Sequence, residues 1–401
     1  MARSAILKGR RRALKQAGAL LASLSVPSFA LAVEPVMIGL DAEFGLESSL
    51  SAQAVELGLR TALAQINANG GVLGGRPLEL ITKDHRSIPA RGIKNLKDLA
   101  ANPNLVAVFG ARFSPVVIEE LPTIKELKLP FMAVWSSADP IVDNGMQPNY
   151  VFRLSLRDSL AMPKMLVSAK QRGFNKIGLL LTNTAWGRSN LAAAEKYVAN
   201  APQSKIVQTV WYNWKDTTFQ LQYDKLLAAG AEALLVVGND DEIALFVREM
   251  AARPPAQRLP VFSHWGITGG EFAKQAGNAL NEVDLTVIQT FSFYTADKTV
   301  LPQFMKYLGQ VSGIRSIDEI RAPVGVAHAY DMAHILARAI NLAGSTERGK
   351  IRDALEKVPE HRGLIKLYRP PFTPTRHEAL GPDELLMVRF DKSGVLLPAQ
   401  K

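Results

Sequence analysis

Short apolar runs alternate along this chain with segments whose apolar residues recur every three to four positions. Residues 36–40 form the first run and read as a strand. Over 49–69, Val55, Leu59, Leu63 and Ile66 share one face at the spacing of an amphipathic helix. Asn69-Gly70-Gly71 then supplies a left-handed stop. Strands are predicted at 78–83, 106–109 and 131–134, with helices at 91–101 and 114–127. Such β-α-β-α order implies a parallel sheet covered by helices.

The alternation then restarts. Strands are expected at 177–181, 206–211, 233–237, 261–263 and 286–290, separated by helices at 160–172, 186–199, 219–229 and 240–253. A long helix over 322–343 carries Val326, Tyr330, Ala333, Leu336 and Ile340, and the Pro- and Arg-rich tail holds one strand at 385–390. The pattern predicts an α/β protein with two doubly wound, Rossmann-like lobes. A length of 401 residues suits two domains, at about 100–200 residues each.

Charge changes the picture at the N-terminus. Residues 1–32 contain Arg3, Lys8, Arg10, Arg11, Arg12 and Lys15 and no acids, and Gln16 begins an uncharged stretch that closes on Ala30-Leu31-Ala32. A basic start, a short apolar middle and small residues at the end form an export signal. Arg10-Arg11-Arg12-Ala13-Leu14-Lys15 also resembles a twin-arginine signal with Ala13 at the usual Phe position. The apolar part, interrupted by Ser and Pro27, is short of the roughly 20 residues that span a bilayer. The expected product is a soluble periplasmic monomer beginning near Val33, with no membrane insertion. Without the six leader bases the rest of the chain has 41 Lys and Arg against 37 Asp and Glu, or +4 instead of +10. A nucleic-acid-binding domain would keep its basic surplus in the folded part, so no nucleic-acid partner is expected.

Several catalytic classes lack their signatures. Cys is absent, which removes thiolate metal sites, disulfides and cysteine nucleophiles. The glycines of 69–75 end a helix and precede a strand, the reverse of a phosphate cradle. Among the six histidines, only His328 and His334 lie close together on one predicted helix, and a spacing of six puts them on different faces. No G-x-S-x-G elbow exposes a serine after a strand. Neither a metal, a cofactor nor an enzymatic activity is expected.

In open α/β sheets, ligands bind beyond the carboxyl ends of the strands. Those ends carry Phe44; Arg112, Phe113 and Ser114; Trp135, Ser136, Ala138 and Asp139; Trp186; Asn239 and Asp240; and His264 and Trp265. Ser114 and Ser136 could donate to a ligand carboxylate beside backbone N–H groups, although Ser114 would also serve as an ordinary helix cap. Three tryptophans at strand ends are harder to explain as packing. An apolar slot with a few placed polar groups is the form of a small-ligand site.

The stretch 56–80, ELGLRTALAQINANGGVLGGRPLEL, followed by Asp84, closely resembles the leucine/isoleucine/valine-binding proteins of ABC importers. Residues 106–110 and 136–140, Arg153 with Asp158, and Trp186-Gly187 fit that family's pattern in the same order. The resemblance implies a type I periplasmic binding fold, with two lobes joined by three crossings near Arg153, Ile288 and Leu367. It assigns 33–153 with 288–367 to the N-terminal lobe, and 154–287 with 368–401 to the C-terminal lobe. Carried over by position, Phe44 is the first-loop aromatic, and Ser114, or Phe113 with a one-residue shift, is the carboxylate holder. Ser136 and Ala138 receive the amino group, Trp186 is the second-lobe aromatic, Asn239 the next contact, and Trp265 falls where the acidic amine partner belongs. Ala138 lacks the expected hydroxyl and Trp265 the expected carboxylate. A buried ammonium would thereby lose a partner worth about 1.5–3 kcal/mol, unless Asp240 or Asp139 substitutes. Arg112 or His264 could pair with an acid, so an aromatic carboxylate is expected beside amino acids as solute.

The function implied is capture of a small-molecule solute for an inner-membrane ABC permease and its ATPase. Alternatives are a periplasmic sensor of the same fold and, more remotely, a hydrolase on doubly wound sheets. A sugar-responsive repressor shares the lobes but needs an N-terminal helix-turn-helix, which the leader replaces.

Overall fold

The strand β1 (Val36–Ala42) is covered on both faces, as a strand inside a parallel sheet must be. It pairs in parallel with β2 (Leu78–Asp84) on one side and β3 (Leu105–Gly110) on the other. α1 (Leu50–Ala68), α2 (Pro89–Ala100) and α3 (Ser114–Glu126) make the crossovers. β4 (Phe131–Ala133) and β5 (Val151–Arg153) complete a parallel five-stranded sheet in the order β2-β1-β3-β4-β5. The structure, a computed structural model, describes residues 34–46 and 49–399, and the expected export leader over 1–32 lies outside them. Among the described residues no helix is long and apolar enough to cross a membrane.

The second lobe opens with α4 (Asp158–Gln171) and continues through β6 (Lys176–Thr182), α5 (Ala185–Ala199), β7 (Lys205–Tyr212), α6 (Gln220–Ala228) and β8 (Ala233–Val237). α7 (Asp240–Ala251), β9 (Val261–Ser263), α8 (Phe272–Ala276) and β10 (Leu285–Gln289) follow. The chain then returns to the first lobe as α9 (Leu301–Ser312), α10 (Pro323–Ala343) and α11 (Arg348–Leu355). A short pair, β11 (His361–Arg362) and β12 (Leu367–Tyr368), precedes the antiparallel β13 (Leu386–Phe390) and β14 (Leu396–Pro398). The second sheet runs β14-β13-β10-β9-β8-β6-β7, parallel from β7 to β10. This is the α/β architecture of two doubly wound lobes that the apolar pattern predicts.

α10 is buried on nearly every side, from Val324 and His328 to Asp331 and Leu336, because it is packed between α1 and α11. The crossing with α1 depends on Gly58, where a Cβ would stand 2.2 Å from the Val326 carbonyl oxygen. The elements absent from the sequence reading are β5, α8, α9, α11, β11, β12 and β14. Most are too short to show a period, and α11 buries only Ile351, Arg352, Ala354 and Leu355.

Arg153 closes β5 in the first sheet, and Ile288 in β10 is paired with Met387 of the second sheet. Leu367 lies in β12. Beyond it, Arg153 N donates to His377 O at 2.8 Å and Ala379 N to Arg153 O at 2.9 Å, so this stretch still belongs to the edge of the first sheet. Arg153 has no solvent exposure, and Glu378 is its carboxylate partner, at 2.9 Å from Nε.

Candidate functional site

The strand ends of the two sheets face each other, and the loops they carry touch. Arg112, after β3, places Nη1 2.7 Å from Oδ1 of Asp240, at the start of α7. Asp139 N donates to Ser189 Oγ of α5 at 3.0 Å. The rings of Trp135 and Trp265 lie 5.7 Å apart, and those of Phe113 and Trp214 lie edge to face at 5.4 Å. The lobes are therefore closed on one another, and from Pro35 onward the chain packs as one unit.

On the first-lobe rim, Ser114 is the first residue of α3 and makes no side-chain cap. Its Oγ instead accepts from Ala138 N at 3.3 Å, which leaves its own O–H to donate. Ser136 Oγ and Trp135 Nε1 are buried without a hydrogen-bond partner. The Ala138 carbonyl accepts from Arg153 Nη1 at 2.8 Å, and the Ser136 carbonyl from Ser155 Oγ at 3.3 Å. Trp135 lies against α10 at Gly325, where a Cβ would stand 2.6 Å from the indole. Phe44 is half-buried and packs on the core edge.

On the second-lobe rim, Trp186 Nε1 donates to Asp158 Oδ1 at 3.3 Å and its ring meets His264 edge-on at 5.0 Å. His264 and Asp158 are both fully buried, with Nε2 3.2 Å from Oδ1. Neither ring nitrogen of His264 has a hydrogen bond in good geometry, and Asp158 Oδ2 has none either. Asn239 is buried at the head of α7 and does not cap it. Trp265 is stacked obliquely between Trp135 and His328, whose ring is 5.5 Å away. His328 Nδ1 faces the Val134 carbonyl at 2.9 Å, so it carries the proton and Nε2 accepts from Thr290 Oγ1 at 2.8 Å. Burial holds this histidine neutral, with its pKa lowered to about 3.

Of the acids considered as substitutes for the missing carboxylate, Asp240 is taken by Arg112 and Asp139 by Arg157 and Ser159. Only Oδ1 of Asp240 is engaged, and Asp240 Oδ2 and Asp158 Oδ2 are both buried without a hydrogen-bond partner. In the sequence Asp158 is marked only as part of the family pattern with Arg153, and an acid at a helix start is what any helix favours, so no site role was assigned to it. Glu43, Trp214 and His328 also reach this region unannounced. Burial disfavours the Arg112 charge, but Asp240 and Glu43 outweigh it, and its pKa is raised. Behind β1, burial lifts Asp41 to about 7 against opposing hydrogen bonds from Asn95 and Glu120. Burial and Asp41 push Glu120 well above the usual carboxylate range, so Glu120 holds a proton between the two.

A groove of about 480 Å³ lies elsewhere, lined by Ile267, Phe272, Tyr294, Ile320, Pro323 and Leu396 among others. None of its lining side chains has a buried polar atom lacking a partner. The strand-end rims do, and they remain the candidate site. Among the described residues no cluster of His, Asp and Glu is arranged to hold a metal ion.

The sequence profile of a family described as "Periplasmic binding protein" matches residues 38–393. No curated protein sequence matches the chain. Among solved structures, a periplasmic binding protein type 1 from Bordetella pertussis is similar with a TM-score of 0.81 at 20% identity, over 91% of this chain and 100% of that one. A leucine-binding protein from Thermotoga maritima is similar with a TM-score of 0.75 at 19% identity, over 91% and 98%. An ABC-transporter solute-binding protein from R. palustris, in complex with 4-hydroxybenzoate, has a TM-score of 0.75 at 17% identity, over 92% and 96%. At these identities the likeness is one of fold.

Proposed function

The chain belongs to the periplasmic binding protein family, and on that premise we propose that it captures a small organic solute between its lobes and delivers it unaltered to an inner-membrane ABC permease and its ATPase. The observation that carries this reading is the character of the two rims. Three indoles, Trp135, Trp186 and Trp265, are gathered there with buried polar atoms that lack a hydrogen-bond partner: Trp135 Nε1, Ser136 Oγ, Asp158 Oδ2 and His264 Nδ1. Each such atom costs about 1–3 kcal/mol if left unpaired, and a solute with its own donors and acceptors offsets that cost.

The chemistry favours an organic carboxylate with a flat or bulky apolar part. The Ser114 hydroxyl and Ser136 Oγ are its oxygen partners, and the indoles cover the apolar part. Asp158 offers a protonated amine the acid that Trp265 cannot, which keeps amino acids within the class, and His264 offers a second acidic group a partner. Leucine and 4-hydroxybenzoate, bound by proteins of this fold, bracket the range. Capture at micromolar solute requires about 8 kcal/mol net. Closure around the solute shifts the population toward the form the permease engages. The leader over 1–32 would deliver the protein, as a monomer, to the periplasm.

Isothermal titration of the protein with leucine, phenylalanine, benzoate and 4-hydroxybenzoate tests the reading. Binding by at least one, lost in Trp186→Ala, is expected. Binding by none, or recovery of a bound compound chemically changed, would defeat it.

A further inference from the structure

Arg112 and Asp240 come from opposite rims and both stand where a ligand contact is expected, yet each is turned on the other. We propose that the pair is a clasp, two positioning residues that bias the lobes toward the closed form through their own contact and without touching the solute. It rests on lobe closure, the motion that the proposed capture requires.

Several observations converge on the clasp. The Nη1–Oδ1 distance is 2.7 Å, and Arg112 and Asp240 are 8% and 1% exposed. Arg112 is braced within its own lobe by Glu43, whose Oε1 lies 3.9 Å from Nε and which has no exposure. Glu43 is itself held by a hydrogen bond from the Ser51 hydroxyl. The guanidinium lies over the Phe113 ring at 4.9 Å. The opposing lobe is shaped around the pair by two glycines. A Cβ on Gly269 would stand 2.5 Å from Arg112 Nη1, and one on Gly270 would stand 1.7 Å from Asp240 Oδ2.

The energetic consequence is asymmetric. Removing one member of a buried ion pair leaves an uncompensated charge, whereas replacing both by apolar residues is often neutral. Here that charge is buried only while the lobes are shut, because opening returns it to water. Arg112→Met leaves Asp240 alone in the closed form and therefore favours opening strongly. Asp240→Leu leaves Arg112 with Glu43 and favours opening less. The double variant removes the stranded charge and recovers closure.

The chain contains no cysteine, so Lys94→Cys on α2 and Lys225→Cys on α6 can carry spin labels, one per lobe. Protein is unfolded and refolded to strip carried-over solute, and inter-label distances are read by pulsed dipolar spectroscopy, with urea midpoints recorded alongside. The wild type is expected to show a short-distance population without solute. Its ratio to the long distance should fall at least about tenfold in Arg112→Met, less in Asp240→Leu, and recover in the double variant. A wild type with no short-distance population, single variants with an unchanged ratio, or variants that shift only the urea midpoint would overturn the clasp. One fixed distance in every variant, with or without added leucine or benzoate, would overturn closure itself and with it the capture mechanism.

Discussion

The buried acid pair behind the first-lobe rim gives a stability prediction with a definite sign. Asp41, at the end of β1, is 2% exposed, and Asn95 Nδ2 donates to its Oδ1 at 2.8 Å. Its pKa rises from 3.8 to about 7. A group raised on folding contributes stability that is fully present below its unfolded value and is lost as pH climbs through the folded one. The loss attributable to Asp41 is about 1.5–2 kcal/mol by pH 5 and about 4 kcal/mol by pH 8, so the window from pH 5 to 8 should remove about 2–3 kcal/mol. Asp41→Asn keeps the acceptor for Asn95 and abolishes this titration. Urea unfolding of both proteins at several pH values reads the effect as a difference of slopes, which carries the titration of Asp41 together with its influence on Glu120. The variant should gain about 2–3 kcal/mol on the wild type between pH 5 and 8. Parallel profiles would refute the claim that burial keeps Asp41 protonated near neutrality.

On the acid side, His328, His334 and His361 are lowered to about 3, 4 and 3 by burial, with Arg338 adding for His334, and His334 and then Arg338 adding for His361. Neutral in the fold and ordinary when unfolded, each should remove about 1.5 kcal/mol as pH falls from 6.5 to 5, and His361→Phe should lower the summed slope by about a third in thermal unfolding. Glu378→Ala leaves Arg153 buried without its carboxylate and should cost about 3–5 kcal/mol, read as a lower urea midpoint at unchanged slope. Gly58→Ala forces a Cβ against the Val326 carbonyl at the α1–α10 crossing. It should cost at least about 1–3 kcal/mol, and a neutral effect on Tm would mean the helices separate freely.

Much of this architecture was legible because its strands and helices are long enough to show their periods. β1, β6 and α1 are of that kind, whereas β5, with three residues, and the pair β11–β12, with two each, carry no period to read. The strand-end rule brought Trp135, Trp186, Trp265, Arg112 and Asp240 to facing rims. It could not show that Arg112 and Asp240 meet, because 128 residues separate them and no local pattern encodes a contact between lobes. Asp158 was visible as part of the family pattern, but its place in the site was not, because it resembles an ordinary first-turn acid. Trp214 was hidden by standing in the loop after β7, a strand end outside the expected set. The pairing of His377, Glu378 and Ala379 with Arg153 at the edge of the first sheet was hidden too, because nothing around Leu367 reveals it.

The most direct test is diffraction from crystals of the protein grown with the solute it retains, identified beforehand by native mass spectrometry. The account predicts an intact molecule enclosed by Trp135, Trp186 and Trp265, bonded to Ser136 Oγ and to Asp158 or His264. Density for that molecule in the groove beside Phe272 and Tyr294, with the strand-end rims unaltered, would contradict it.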